Sequence, residues 1–109
     1  MKKFDRYDPD LMYDVVATVL KLQGKFKNDN RQTDANYVQI HNELCKARRV
    51  SIEDVVQYLR LAEQCGYIRG HGGFWNHHGS GGSKKWHFLR WPPYPYYELM
   101  GGTQWRMTT

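Results

Sequence analysis

A group of histidines in the C-terminal half carries the side chains most able to do metal chemistry. His71, His77 and His78 follow Cys65 closely, and imidazole and thiolate are ligands for zinc or nickel. A closed zinc site takes four ligands, usually at helix or knuckle spacing, and the chain has no CxxC or HxxxH pattern. We interpret the segment as a polar loop that contacts phosphate when protonated, and we predict no metal site and no cofactor.

The cysteines give little support to an enzyme. Cys45 and Cys65 lack a patterned His/Asp context, and the sequence contains neither a GxSxG motif nor a P-loop. Both fall on predicted buried helix faces, so we interpret them as small apolar core residues in a reducing compartment. No apolar run approaches the ~20 residues needed to cross a bilayer. The polar N-terminus does not resemble a signal peptide. We predict a cytoplasmic protein that is not an enzyme and has no membrane partner.

Positive charge is concentrated in the second part of the chain. The 109 residues carry a formal net charge of +5, and the isoelectric point is near 9.3. Residues 1–66 hold 11 Lys and Arg against 10 Asp and Glu, whereas residues 67–109 hold 5 against 1. A basic part beside a balanced part indicates a polyanionic partner.

The first helix is predicted from residue 9 to about residue 23. Asp8 suits the N-cap and Pro9 the first helical position, and Asp10 faces the positive end of the helix. An apolar stripe indicates the side that packs into the core. Its members are Leu11, Met12, Val15, Val16, Val19, Leu20 and Leu22. The following segment, 24–31, is polar and rich in turn formers, which predicts a loop.

Two further helices are predicted on either side of a basic turn. Thr33 or Asp34 can cap the second, and Ser51 can cap the third by accepting from the amide of Asp54. Gly66 suits the left-handed position that ends the third helix. The residues predicted to face inward are Tyr37, Ile40, Leu44 and Cys45 in the second helix, and Ile52, Val55, Val56, Leu59, Ala62 and Cys65 in the third.

A β-hairpin with a long tip is predicted after the third helix. Residues 67–71 and 84–91 have strand-like patterns, and residues 70–83 hold six glycines. Trp86 and Phe88 are expected to cover the helical core, because a small domain needs large side chains to build one.

The tip and the C-terminal tail are predicted to be contact regions. Phe74 and Trp75 lie in the glycine-rich tip, where they are hard to bury. Residues 91–97 include three prolines and predict an extended, polyproline-like segment. We therefore divide the chain into a domain over 1–91 and an extended Pro/Tyr-rich tail over 92–109, which packs on the domain or on a partner.

Residues 33–91 resemble the winged helix-turn-helix superfamily. The shared pattern is a helical segment ending in Leu, a turn, a capping Ser, Val and Leu at four-residue steps, and a Glu-x-x-Gly-aliphatic exit into a strand. The matching positions are Leu44, Ser51, Val55, Leu59, Glu63, Gly66 and Ile68. The resemblance covers about half of the chain. It implies an α+β fold with a three-helix bundle, a helix-turn-helix and a β-hairpin wing.

The resemblance also implies binding of double-stranded DNA, with the third helix in the major groove and the basic wing on the backbone. Gln57 would meet base edges, since its amide can pair with adenine through two hydrogen bonds. The implied contact residues are Arg48, Arg49, Ser51, Glu53, Gln57, Arg60, Lys84 and Lys85, with Trp75, His77 and His78 at the wing tip. Such a protein would regulate transcription or be a phage- or plasmid-encoded accessory factor, and homodimers are common in this class.

The sequence departs from the family pattern in two ways, and the second of them favours an alternative function. The turn between Leu44 and Ser51 is several residues longer than the family norm. The third helix also begins with Glu53 and Asp54, whose carboxylates repel phosphate. The alternative function is a protein-interaction module on the same fold, within a transcription or replication assembly, whose aromatic tip or tail engages the partner.

Overall fold

The computed structural model describes residues 7–28, 31–72 and 84–93. Within these ranges the protein is α+β, with three helices and two antiparallel two-stranded sheets. In chain order the elements are α1 (Pro9–Leu22), β1 (Phe26–Asn28), β2 (Arg31–Thr33), α2 (Tyr37–Leu44), α3 (Ile52–Gln64), β3 (Ile68–His71) and β4 (Lys85–Phe88). No helix in the described ranges is long and apolar enough to cross a membrane.

The start of α1 follows its sequence signals. Asp8 Oδ1 accepts from the amides of Asp10 and Leu11 at 3.0 and 3.3 Å, and Pro9 is the first helical residue. The residues of the predicted stripe that are buried are Leu11, Met12, Val15, Val16 and Val19. The prediction was wrong for Leu20, which is 37% exposed. At 100° per residue, Leu20 lies beyond the edge of the buried face.

The segment predicted as a loop forms a short hairpin instead. Residues 26–28 of β1 pair with residues 31–33 of β2, with Phe26 opposite Thr33. Three-residue strands of mostly polar residues show no alternation of apolar and polar positions, so the pattern that identifies a strand is missing from the sequence.

The N-cap of α2 is Asn36, not Thr33 or Asp34 as predicted. Asn36 Oδ1 accepts from the amide of Gln39 at 2.9 Å, and Gln39 Oε1 accepts from the amide of Asn36 at 2.8 Å. This reciprocal pair is a capping box. The helix cannot begin earlier because Ala35 is still extended, in a β-bridge with Trp86.

The limits of α3 agree with the prediction, but the predicted burial of the two cysteines is wrong. Ser51 Oγ accepts from the amide of Asp54 at 3.1 Å, and Gly66 has φ +80°, the left-handed conformation that ends a helix. Cys45 and Cys65 were predicted to be buried, and both are exposed. Each is the C-cap residue of its helix, where the chain turns away from the core.

The hairpin β3–β4 brings a fully buried tryptophan into the core. Gly70 lies opposite Trp86 in the register, and the Trp86 amide donates to the carbonyl of Ala35 at 3.1 Å. The segment before α2 therefore continues the sheet beyond β4. The core residues are Leu11, Met12, Val15, Val16, Val19, Ala35, Ile40, Leu44, Val55, Tyr58, Leu59, Ala62, Ile68 and Trp86, and Phe88 packs against them. The core roles predicted for Trp86 and Phe88 are confirmed.

The chain after β4 packs along α1. The rings of Trp91 and Tyr13 stack with centroids 4.8 Å apart, and Pro92 is buried. The first residues of the predicted tail thus lie on the domain, and residues 94–109 lie outside the described residues.

Gly70 provides a test of this packing. A Cβ on Gly70 would lie 2.9 Å from Cζ3 of Trp86, whose ring cannot move without disturbing the core. We expect Gly70→Ala to lower the free energy of unfolding by about 1–3 kcal/mol in urea denaturation. Arg69→Ala, on the exposed side of the same strand, is the control and should change it by less than about 0.5 kcal/mol. Equal stabilities for the two variants would show that Trp86 does not pack against Gly70.

Candidate nucleic-acid interface

The outward face of α3 is polar. Glu53, Arg60 and Gln64 are exposed and Gln57 is half-buried. Their spacings of three and four residues place them on one side of the helix. The buried residues of α3, on the other side, are Val55, Tyr58, Leu59 and Ala62. The helix therefore presents amide, guanidinium and carboxylate groups beside each other.

Glu63 of α3 makes two polar contacts with the hairpin. Glu63 Oε2 accepts from the amide of Gly70 at 3.3 Å, and Glu63 Oε1 lies 3.5 Å from Lys84 Nζ. Lys84 also lies over the ring of Trp86, with Nζ 5.1 Å from the centroid. Both sides of the hairpin thus contact the C-terminal half of α3, so the hairpin lies directly beside the helix.

The two arginines of the basic turn have different environments. Arg48 donates to Asp14 at 2.6 Å and to Asp8 at 3.3 Å, which fastens the turn to α1. The hydrogen bond to Asp14 raises the pKa of the Arg48 guanidinium, against the opposing effect of partial burial. Arg49 is exposed, immediately before the cap of α3. Of the two, only Arg49 has its side chain available to an added partner.

The two lysines predicted to contact phosphate are also constrained. Lys85 is 7% exposed, so its side chain does not lie on the surface as the sequence analysis assumed. Lys84 is paired with Glu63, and its side chain is 24% exposed. The other predicted contact residues, Ser51 and Glu53, are exposed at the start of α3, where the Ser51 hydroxyl is used in capping.

A second polar cluster, not predicted from the sequence, lies at the hairpin. Asp34 is 8% exposed, and its Oδ2 lies 2.9 Å from His71 Nε2 and 3.1 Å from His87 Nδ1. Asp34 Oδ1 accepts from the amide of Gly24 at 2.9 Å. Burial raises the pKa of the Asp34 carboxyl. The hydrogen bonds from His71, Gly24 and His87 outweigh this effect and lower the pKa below its ordinary value of 3.8.

The sequence holds no local signal for this cluster. Asp34 is 37 residues from His71 and 53 from His87, and no motif links the three. The sequence predicts Asp34 as a possible helix cap, and His71 as the end of a strand and the start of a polar segment that contacts phosphate. The cluster arises because the segment before α2 pairs with β4, which is a long-range contact.

A cysteine–histidine pair in the α2–α3 turn does not form an activated nucleophile. Cys45 Sγ lies 3.4 Å from His41 Nε2, but the same nitrogen lies 2.9 Å from the carbonyl oxygen of Val50. Because a carbonyl only accepts, His41 Nε2 must carry a proton and cannot take one from the thiol.

A cleft of about 320 Å³ lies between α1 and the end of α2. Its charged lining is internally paired: Glu43 binds Lys21 at 2.6 Å and Lys46 at 3.1 Å. The hydrogen bonds from these two lysines lower the pKa of the Glu43 carboxyl. The arrangement stabilises the α1–α2 contact.

The predicted wing-tip residues Trp75, His77 and His78 lie outside the described residues. Across the ranges that the structure describes, no group of three or more His, Cys, Asp or Glu side chains could hold a metal ion. Comparisons of the chain with protein-family models, with curated proteins and with solved structures find no match.

The lowered pKa of Asp34 predicts a change of stability with pH. A carboxyl whose folded-state pKa is lowered stabilises the protein above its unfolded-state value, and the contribution is lost as pH falls through the folded-state value. We expect the difference in unfolding free energy between the native protein and Asp34→Asn to shrink as pH falls below 3.8. Urea denaturation at a series of pH values measures it.

The matched control for this experiment is Glu53→Gln, which removes one negative charge from an exposed position of α3. This control shows how far the loss of any one surface charge changes the unfolding free energy at low pH. A difference between native protein and Asp34→Asn that stays constant with pH would show that Asp34 is not stabilised in its charged form.

Proposed function

We propose that this protein binds double-stranded DNA as a winged-helix protein, through the outward face of α3 and the hairpin β3–β4. The observation that carries the proposal is that a polar helix face lies beside a hairpin fixed to the same helix by Glu63. A helix of this diameter fits the major groove. A hairpin held beside it can reach the neighbouring backbone.

The arrangement of elements supports a winged helix. The helix α2 is followed by a turn and by α3, and β3 begins two residues after Gly66. The hairpin β3–β4 then serves as the wing. The segment at Ala35 is a second backbone partner of β4, beside β3, so the sheet is tied to the region between α1 and α2.

The side chains of the α3 face suit contacts with DNA. Gln57 can pair with the edge of adenine, and Arg49 and Arg60 can contact phosphate or guanine. Glu53 can accept from the amino group of cytosine, and it repels phosphate elsewhere. The charge of Lys84, directly before β4, is paired with Glu63. Fewer cations can contact DNA than the sequence predicts, because Arg48 is hydrogen-bonded to Asp14 of α1 and Lys85 is buried.

One observation favours the protein-interaction alternative. Trp91 is 42% exposed, Leu89 is 50% exposed and Tyr13 is 37% exposed. Trp91 contacts both Tyr13 and Phe88, with ring centroids 4.8 and 5.1 Å apart. A partly exposed aromatic cluster between α1 and the chain after β4 suits a protein partner or a second copy of the chain.

DNA binding can be tested by fluorescence anisotropy with a labelled random duplex over a series of salt concentrations. Each lost phosphate contact reduces the slope of log affinity against log salt by about 0.9. We expect Arg49→Ala/Arg60→Ala to weaken binding to all sequences and to reduce this slope by up to about 2. Gln57→Ala should alter sequence preference while leaving the slope unchanged.

The matched control is Lys21→Ala/Lys25→Ala, which removes the same charge from α1 and the turn that follows it. It should reduce affinity much less than the arginine pair. Equal losses in the two double variants would contradict a specific interface on α3. Absence of binding by the native protein at low salt would overturn the proposal in favour of the protein-interaction alternative.

A further inference from the structure

The exposed side of α1 carries an apolar patch. Five large hydrophobic side chains are exposed among the described residues, and two of them, Tyr13 and Leu20, belong to α1. They are seven residues apart, which is close to two helical turns, so they lie on the same side of the helix. A third, Trp91, stacks on the ring of Tyr13 with centroids 4.8 Å apart. Exposed hydrophobic side chains gathered on one side mark an interaction surface.

A small residue lies in the middle of this patch. Ala17 is half-buried, four residues after Tyr13 and three before Leu20, so the turn of the helix places it on the same side. We call Tyr13, Ala17, Leu20 and Trp91 the α1 patch. The distance between two packed helix axes depends on the side chains at the contact, and a methyl group allows a close approach. The α1 patch therefore has a low centre between two large side chains.

The charges of α1 differ in sign at the two ends of the helix. Asp10 in the first turn and Lys21 in the last turn are both exposed, and their spacing of 11 residues, close to three turns, places them along one line. Asp14, the other charged residue of α1, is bound by Arg48 at 2.6 Å. Lys21 binds Glu43, but its side chain is 67% exposed and an ammonium has three donors. It can therefore hold a second carboxylate.

We propose that the α1 patch binds the α1 patch of a second copy of the chain, in an antiparallel homodimer whose two-fold axis passes near Ala17. Both copies use the same surface in such a pair. Tyr13 then falls opposite Leu20 of the partner subunit, and each large side chain packs beside the low centre. Because α1 presents these contacts without DNA, dimerisation does not depend on the proposed function.

The charges of α1 favour a second copy in this orientation. In the antiparallel pair, Asp10 falls within one helical turn of Lys21 of the partner subunit, and the two-fold axis repeats this contact at the other end. A parallel pair would instead bring like charges together at both ends. Complementary charges at the edge of an interface fix the orientation of the partners more than they raise the affinity.

Sedimentation velocity of the native full chain, over concentrations from micromolar to sub-millimolar and without DNA, tests dimerisation. The weight-average mass should rise with concentration from the monomer value of 13.0 kDa towards twice that value. A mass that stays at the monomer value throughout would overturn the proposal, and the α1 patch would then serve another protein or another part of this chain.

Charge reversal tests the orientation of the two copies. Asp10→Lys and Lys21→Glu should each weaken self-association about tenfold, because each places like charges together twice in the dimer. In an equal mixture of the two variants, opposite charges meet again at both ends of a heterodimer. The mixture should therefore associate about as tightly as native protein. A mixture that associates no better than the separate variants would overturn the antiparallel arrangement, since a loss of folding is not rescued by mixing.

The matched controls make the same charge changes away from α1. Asp54→Lys lies in the first turn of α3 and Arg69→Glu lies at an exposed position of β3. Each should change the dissociation constant of the dimer by less than about twofold. Circular dichroism and thermal melting monitor the folding of every variant.

A second variant tests the apolar part of the contact if a charge variant does not fold. Leu20→Ser removes an exposed side chain that is absent from the core, so the domain should fold normally. It should weaken self-association about tenfold, because the dimer buries Leu20 twice. A dimer as tight as that of the native protein would overturn the proposal.

Discussion

The burial of Trp86 is the interaction on which the rest of the structure depends. The residue is fully buried, and its strand is paired with β3 on one side and with the carbonyl of Ala35 on the other. Burying an indole ring removes about 150–250 Å² from water, worth about 4–6 kcal/mol at 25 cal/mol per Å². Once Trp86 is in the core, β4 must lie along α1, where the Phe88 amide donates to Gln23 Oε1 at 2.7 Å. Gly70 and Lys84, at the loop end of the described hairpin, then lie next to Glu63 of α3.

Several basic side chains are used in contacts within the protein. Arg48 joins the turn to α1, Lys84 joins the hairpin to α3, and Lys85 is buried on the strand that carries Trp86. Arg49 and Arg60 are exposed, just before α3 and on its outward face. A small number of phosphate contacts gives modest affinity and a shallow dependence on salt, so recognition would rely more on the polar face of α3.

The sequence predicts elements well where the signals are local. The limits of α1 and α3 follow from Asp8, Ser51 and Gly66, because caps and left-handed glycines act within a few residues. Short polar strands such as β1 and β2 carry no periodic signal, and a helix start such as Asn36 depends on where the preceding residue pairs. The Asp34 cluster could not be predicted, since it joins residues that only the folded sheet brings together.

The most direct test of the central claim is to titrate ¹⁵N-labelled protein with a random duplex of about 30 base pairs and to follow the amide shifts by NMR. The titration is made at low salt, because phosphate contacts with DNA of any sequence are then strong. The account predicts that amide shifts change along Arg49, Gln57 and Arg60 and in β3–β4, while those of the Tyr13 and Trp91 region stay unchanged. Changes centred on Tyr13 and Trp91 instead, or none at all, would contradict it.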